Sequence, residues 1–128
     1  MAHSDACALI GIGEGDGIGV DLEVLRRIDD VWALAEPNLS PSELDELRRL
    51  PSDEVARGFL VGWTRKEACL KALGSGLSLA PKSLDVGLAP WPRRVSVELD
   101  SGPTELCVRD VGAGKDILAA VAKIARRK

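Results

Sequence analysis

The 128-residue chain contains no tyrosine, one phenylalanine and one histidine. With so few aromatic rings, it has little surface on which nucleic-acid bases could stack. Its 17 basic residues are outnumbered by 20 acidic ones, which gives a net charge of −3. A nucleic-acid-binding domain needs a basic excess to contact phosphates. We therefore expect no nucleic-acid partner.

The chain also lacks long apolar runs and paired cysteines. No window approaches the roughly 18 consecutive apolar residues of a membrane-spanning helix. The first residues have neither the basic nor the apolar region of a signal peptide. We expect no membrane partner and a cytoplasmic location. Cys7, Cys69 and Cys107 form no CxxC pair, which argues against a zinc site. We expect them to be small buried residues in a reducing compartment.

The composition is that of one globular domain. The apolar fraction is 45% and the charged fraction is 29%, which are ordinary values for a folded chain. A chain of this length can bury a single core. We expect residues 1–128 to form one domain.

Two strands joined by a tight turn are expected near the N-terminus, with the strands at 6–12 and 18–23 and the turn at 14–17. Strand side chains alternate between the two faces of a sheet. Asp21 and Glu23 should therefore share one face, while Val20 and Leu22 should point into the opposite layer. The second strand thus presents two carboxylates side by side.

Helices are expected over 25–35, 40–50 and 52–73. The second has a strong start signal, with Ser40 at the cap, Pro41 at the first position and Glu43 three residues on. The third is expected to end at Gly74. In the last third of the chain we expect strands at 84–88, 94–99 and 104–111. The segment 116–124 is ambiguous, because its alanines favour a helix, whereas its length and its position after the turn at 111–114 allow a strand; we expect a strand.

The long helix carries the candidate chemistry. A helical wheel puts Glu67 inside the buried arc and Lys71 at its edge. A buried, unpaired carboxylate costs several kcal/mol, so Glu67 needs a cation. Lys71, one turn later, can supply it, and the pattern alone favours this ion pair. A divalent metal shared with Asp21 and Glu23 is the alternative. Lys66 also falls within the arc, which either weakens the wheel argument or marks a second functional lysine.

Two sequence blocks resemble a known family. They are Gly-Val-Asp-Leu-Glu at 19–23 and Trp-Thr-Arg-Lys-Glu-Ala-Cys-Leu-Lys-Ala-Leu-Gly-Ser-Gly-Leu-Ser-Leu-Ala-Pro at 63–81. In order and spacing they resemble the 4′-phosphopantetheinyl transferases, most closely the surfactin-synthetase-activating type. The segments at 39–43 and 2–4 also resemble that family's F-S-P-x-E helix start and the end of its S-H-S segment. The resemblance covers residues 2 to about 88.

The resemblance implies a fold and a reaction. The fold would be α+β, a small antiparallel sheet packed against a long helix. In the reaction, coenzyme A would donate its phosphopantetheine arm to a serine of an acyl or peptidyl carrier protein. Adenosine 3′,5′-bisphosphate would be the other product.

The resemblance also implies roles for individual residues. Three carboxylates would hold Mg²⁺ on the coenzyme A pyrophosphate: Asp21, Glu23 and Glu67. Glu67 would also be the candidate catalytic base, and Lys71 would contact phosphate as the second catalytic residue. Lys66 is a further candidate for phosphate contact. His3 matches a histidine that contacts the 3′-phosphate of the coenzyme.

The chain departs from the surfactin type in length, because that type contains two such halves. The short holo-acyl-carrier-protein synthases are about this size and build shared sites as homotrimers. We therefore expect a homo-oligomer, a trimer or a dimer, with the site at a subunit junction. The alternative is an inactive half-domain that binds coenzyme A or a carrier protein. Metal binding without transfer is a third possibility.

Five arginines near predicted helices could dock an acidic carrier protein: Arg26, Arg27, Arg48, Arg49 and Arg57.

Overall fold

The computed structural model describes residues 17–74 and 79–127, with side chains through residue 125. Its strands are β1 (Ile18–Val24), β2 (Arg93–Leu99), β3 (Gly102–Gly112) and β4 (Ile117–Arg127). Its helices are α1 (Val31–Asn38), α2 (Pro41–Arg48) and α3 (Val55–Leu73), with single 3₁₀ turns at Ser52–Glu54 and Pro81–Ser83. The strands form one antiparallel sheet in the order β1-β4-β3-β2. The α+β prediction is confirmed.

The main core lies between α3 and the inner face of the sheet. Small side chains from the helix, such as Ala68 and Ala72, meet branched ones from the strands, such as Val95, Leu106 and Val108. A second cluster fills the space where α1 and α2 pack against the first half of α3. None of the described helices combines the length and apolar character that crossing a membrane requires.

The approach of β1 to α3 is close because β1 has a glycine at the contact. A Cβ atom placed on Gly19 would lie 2.1 Å from the Ala68 carbonyl oxygen and 2.4 Å from the Ala72 nitrogen. Real Cβ atoms do not approach backbone atoms so closely, so the strand can occupy this position only with glycine there. Two residues later, Asp21 points toward the same helix.

The capping-box prediction for α2 is confirmed. The Ser40 hydroxyl accepts a hydrogen bond from the Glu43 backbone N–H, and the Glu43 carboxylate accepts one from the Ser40 N–H. The strands expected at 94–99, 104–111 and 116–124 correspond to β2, β3 and β4.

Two predictions of secondary structure are wrong. The helix expected over 25–35 begins only at Val31, where the Asp30 side chain accepts a hydrogen bond from Ala33 N, and it continues through Pro37 to Asn38. The strand expected over 84–88 is irregular backbone, held by side chains from the helices, as described below. The strand expected over 6–12 lies outside the described residues.

The outer face of β1 also differs from expectation. Val20, Leu22 and Val24 are 52%, 61% and 62% exposed, so they face solvent instead of a second layer. Direct strand pairing puts Leu22 in one row with Ala119 and Val111, and Val24 beside Ile117. These residues form an apolar outer face, which we define as Val20, Leu22, Val24, Val111, Ile117 and Ala119.

The cysteines are only partly as predicted. Cys69 is a buried free thiol, and burial raises its pKa to about 12. Cys107 is buried but disulfide-bonded, which the sequence analysis did not anticipate. Cys7 lies outside the described residues.

We expect Gly19→Ala to destabilise the fold by about 1–3 kcal/mol, because the new methyl group forces β1 away from α3. Urea denaturation measures the change. Gly112→Ala is the matched control, since a Cβ there meets nothing within 4 Å. Equal stability of the two variants would contradict the close-contact argument.

Candidate functional site

The site is built where β1 crosses the second half of α3. Asp21 is 8% exposed, and its Oδ1 lies 2.7 Å from the Lys71 Nζ. The same ammonium donates to the Val20 carbonyl oxygen at 3.3 Å. The hydrogen bond and the charge of Asp21 raise the pKa of Lys71, so this side chain stays charged at neutral pH.

The second oxygen of Asp21 has no such partner. Oδ2 is buried and accepts no hydrogen bond from the described residues. A buried polar atom without a partner is costly. It therefore marks a place where a further cation or donor would be stabilising.

Glu67 and Glu23 complete the acidic group. Glu67 is partly buried on α3, one turn before Lys71. Burial raises the pKa of Glu67, as do the neighbouring charges of Asp21 and Glu23, while Lys71 acts in the opposite direction. Glu23 accepts a hydrogen bond from the Arg26 guanidinium at 3.1 Å. The structure thus brings Asp21, Glu23, Glu67 and Lys71 together.

The sequence offered two arrangements for Glu67, an ion pair with Lys71 or a metal shared with Asp21 and Glu23, and the described residues contain neither in assembled form. Lys71 pairs with Asp21, and not directly with Glu67. Within residues 17–74 and 79–125, no three His, Cys, Asp or Glu side chains already lie close enough to hold a metal. The side chains nevertheless fit a divalent ion chemically, because Glu67 lies within the electrostatic influence of Asp21 and Glu23, and Asp21 has a buried oxygen without a partner.

Lys66 is not brought into this group. Its side chain is 0% exposed, and its Nζ lies 2.7 Å from Glu43 Oε1. It also donates to the carbonyl oxygens of Pro81 and Leu84. Burial lowers the pKa of Lys66, and the charge of Glu43 opposes that shift. With all three of its protons directed into the protein, Lys66 has no donor left for phosphate, and its predicted role there receives no support from its position.

The Glu43 carboxylate, which pairs with Lys66, also binds the backbone of residues 86 and 87. Its Oε2 accepts hydrogen bonds from the Val86 and Gly87 N–H groups at 2.6 and 3.0 Å. Because Oε1 binds Lys66, the Glu43 carboxylate connects α2, α3 and the irregular segment 84–88, which follows the 3₁₀ turn at Pro81–Ser83. This explains how residues 84–88 are fixed without strand pairing.

Arg65 fixes the same segment from its other side. Its guanidinium is buried, forms a two-point contact with Asp110 at 2.7–2.8 Å, and donates to the carbonyl oxygens of Val86, Gly87 and Ala89. Sequence reasoning missed this residue. The helical wheel gave no signal for it, because it puts Arg65 about 200° from Trp63, opposite the buried arc.

The last predicted site residue, His3, lies outside the described residues. Its assignment to the 3′-phosphate of a coenzyme stays a prediction.

Comparison with known proteins identifies relatives. Residues 17–122 match the family model of the 4′-phosphopantetheinyl transferase superfamily. The chain is 37% identical over 90 residues to the 4′-phosphopantetheinyl transferase HetI of Nostoc, which covers 70% of this chain and 38% of HetI. It is 32% identical over 123 residues to a 4′-phosphopantetheinyl transferase of Bacillus subtilis, covering 94% of this chain and 52% of that protein. The chain thus spans about half the length of these curated relatives, or less.

Solved structures share the fold. A holo-(acyl-carrier-protein) synthase from Bacillus anthracis, in complex with CoA (3′,5′-ADP), has a TM-score of 0.58 and 21% identity, covering 84% of this chain and 94% of that one. The Chronobacterium ammoniagenes ACPS–CoA complex has a TM-score of 0.60 and 21% identity, covering 90% of this chain and 100% of that one.

We expect Lys66→Met to destabilise the protein by about 3–5 kcal/mol, because it leaves Glu43 buried without a counter-ion. The double variant Glu43→Gln/Lys66→Met removes both charges and should recover much of that loss. Urea denaturation of the two variants measures the difference. A single variant as stable as the wild type would show that the pair is not essential to the core.

Proposed function

Because the chain belongs to the 4′-phosphopantetheinyl transferase superfamily, we propose that it transfers the phosphopantetheine arm of coenzyme A to a serine of an acyl or peptidyl carrier protein. The observation that carries this proposal is the convergence of Asp21 and Glu23 from β1 with Glu67 and Lys71 from α3. These are the four described residues that the family's two sequence blocks bring to one place.

In this proposal Asp21, Glu23 and Glu67 hold Mg²⁺. When bound, the ion supplies positive charge that neutralises the coenzyme A pyrophosphate as the reaction proceeds. The buried, unpartnered Oδ2 of Asp21 supports the assignment. Oxygen ligands combined with substrate phosphates are the surroundings that Mg²⁺ prefers.

The chain's own side chains accept the proton and contact the phosphates. Glu67, directly or through a water molecule, accepts the proton of the attacking serine hydroxyl. A raised pKa favours this role, since a base acts best when its pKa is near the working pH. The serine oxygen forms a bond to the β-phosphorus, and the bond from that phosphorus to the departing adenosine 3′,5′-bisphosphate breaks. Lys71 contacts phosphate, and His3 contacts the 3′-phosphate.

Carrier-protein docking is proposed for exposed basic side chains on or beside the helices. Carrier proteins are usually acidic around the target serine, and complementary charge steers association. Five arginines on or beside the helices are exposed: Arg26, Arg27, Arg48, Arg49 and Arg57.

Self-association is the second part of the proposal. The apolar outer face of the sheet exposes several large side chains on three neighbouring strands. Contiguous exposed apolar surface of this kind typically marks a protein interface. Because the chain spans about half the length of its relatives, we propose that a second copy covers this face, in a dimer or a trimer.

A non-catalytic module is the alternative function. The same short span favours it, because a partial chain can keep the fold and bind coenzyme A or a carrier protein without completing the reaction.

A transfer assay separates the two functions. The protein, apo carrier protein, coenzyme A and Mg²⁺ are incubated, and the carrier is weighed by mass spectrometry. We expect a gain of one phosphopantetheine, and a rate at least about 100-fold lower in Glu67→Ala, because the base is lost. Glu98→Ala, an exposed acid on the far edge strand β2, is the matched control. Carrier binding without any mass gain would support the module instead.

Sedimentation equilibrium tests self-association. We expect the wild type to form an oligomer and Leu22→Asn to raise its dissociation constant about tenfold or more, because a 61% exposed leucine would lose apolar contact with the second copy. Leu34→Asn on α1, which removes another exposed leucine away from the sheet, is the control. A monomer that still transfers phosphopantetheine would refute the oligomer and leave the function intact.

A further inference from the structure

Each carboxylate of β1 already has a cationic partner from the chain itself. Asp21 Oδ1 lies 2.7 Å from Lys71 Nζ, and Glu23 Oε1 lies 3.1 Å from Arg26 Nη1. Each cation also donates to a carbonyl oxygen of the strand, that of Val20 for Lys71 and that of Val24 for Arg26, both at 3.3 Å. The two acids therefore rest against two side-chain cations in the protein as it stands.

In each ion pair the carboxylate is more deeply buried than the cation. The Asp21 and Glu23 side chains are 10% and 22% exposed and belong to a paired strand, whereas those of Lys71 and Arg26 are 53% and 52% exposed. A long, half-exposed cation can swing into solvent with little loss of packing, whereas the strand pairing keeps the carboxylates in place. The carboxylates are thus the fixed half of each pair, and the cations are the movable half.

The two side-chain cations together carry the same charge as one divalent ion. Asp21, Glu23 and Glu67 carry three negative charges, and Lys71 and Arg26 carry two positive ones. One divalent ion has the same charge as the two side chains together. Replacing them by the ion leaves the charge at the carboxylates unchanged and frees two cations beside the place proposed for a pyrophosphate.

We propose that Lys71 and Arg26 are internal counter-ions that occupy the carboxylates in the metal-free protein, and that a divalent ion binds by displacing them. This inference rests on the metal site of the proposed function. It explains why the acids are adjacent although the described residues contain no ready-made three-ligand site. It also gives the freed cations a second partner, the phosphates of the substrate.

Metal titration without coenzyme A or carrier protein tests the inference. Free Mn²⁺ is followed by electron paramagnetic resonance as the protein is added. We expect Lys71→Met to bind Mn²⁺ about tenfold more tightly than the wild type, because a competitor for Asp21 and a nearby positive charge are both removed. Arg26→Met should give a smaller gain, about two- to threefold, since the Glu23 pair is more exposed. Lys71→Arg retains the competitor and should bind like the wild type.

Arg94→Met is the matched control, because it removes a cation from a partly exposed ion pair between Arg94 on β2 and Glu105 on β3, away from the site. Its Mn²⁺ affinity should equal that of the wild type. Unchanged or weaker binding in Lys71→Met would overturn the inference, as would the absence of Mn²⁺ binding in every variant.

A second measurement avoids variants altogether. In the ¹⁵N-lysine spectrum of the wild type, Mg²⁺ should shift the Lys71 ammonium signal, because the ammonium leaves Asp21. An unchanged signal at saturating Mg²⁺ would also overturn the inference. Its failure is distinguishable from that of the proposed function, since phosphopantetheine transfer is measured separately by the mass of the carrier protein.

Discussion

The close contact between β1 and α3 at Gly19 determines where the functional side chains lie. Because a Cβ there would overlap the helix backbone, the strand approaches α3 more closely than side chains normally allow. Asp21, two residues on, then reaches Lys71, which is rooted one turn after Glu67. Asp21 thus lies next to Lys71, 50 residues later in the sequence, because residue 19 has no side chain.

Three consecutive residues of α3 have different structural roles, since successive side chains of a helix point about 100° apart. Arg65 and Lys66 turn into the protein and hold the irregular segment after the 3₁₀ turn, while Glu67 faces β1. The buried cations anchor the helix on one side, which gives the carboxylate on the other side a fixed position. Proximity in a sequence motif therefore does not imply a shared role.

Local signals in the sequence predicted local structure well. The Ser40–Glu43 capping box and the alternating strands β2 and β3 depend on neighbouring residues, and the sequence contains that information. The segment 84–88 was mispredicted because its conformation depends on Glu43 and Arg65, which lie 43 and 21 residues before Val86, the residue that both contact. The wheel correctly indicated a buried charge on α3, but it could not show that the fully buried residue is Lys66, whose partner lies on another helix.

The strand β1 reverses the usual arrangement of polar and apolar faces. Its carboxylates point toward the helix and its valines and leucine point outward, whereas a surface strand normally buries the apolar side. Charge on the inner face needs cations, which α3 and the segment after β1 supply, and apolar surface on the outer face needs cover from outside the described chain. A single alternation of residue types thus connects the proposed catalytic site with the proposed interface. A substitution that shifted β1 by one residue would therefore disturb both at once.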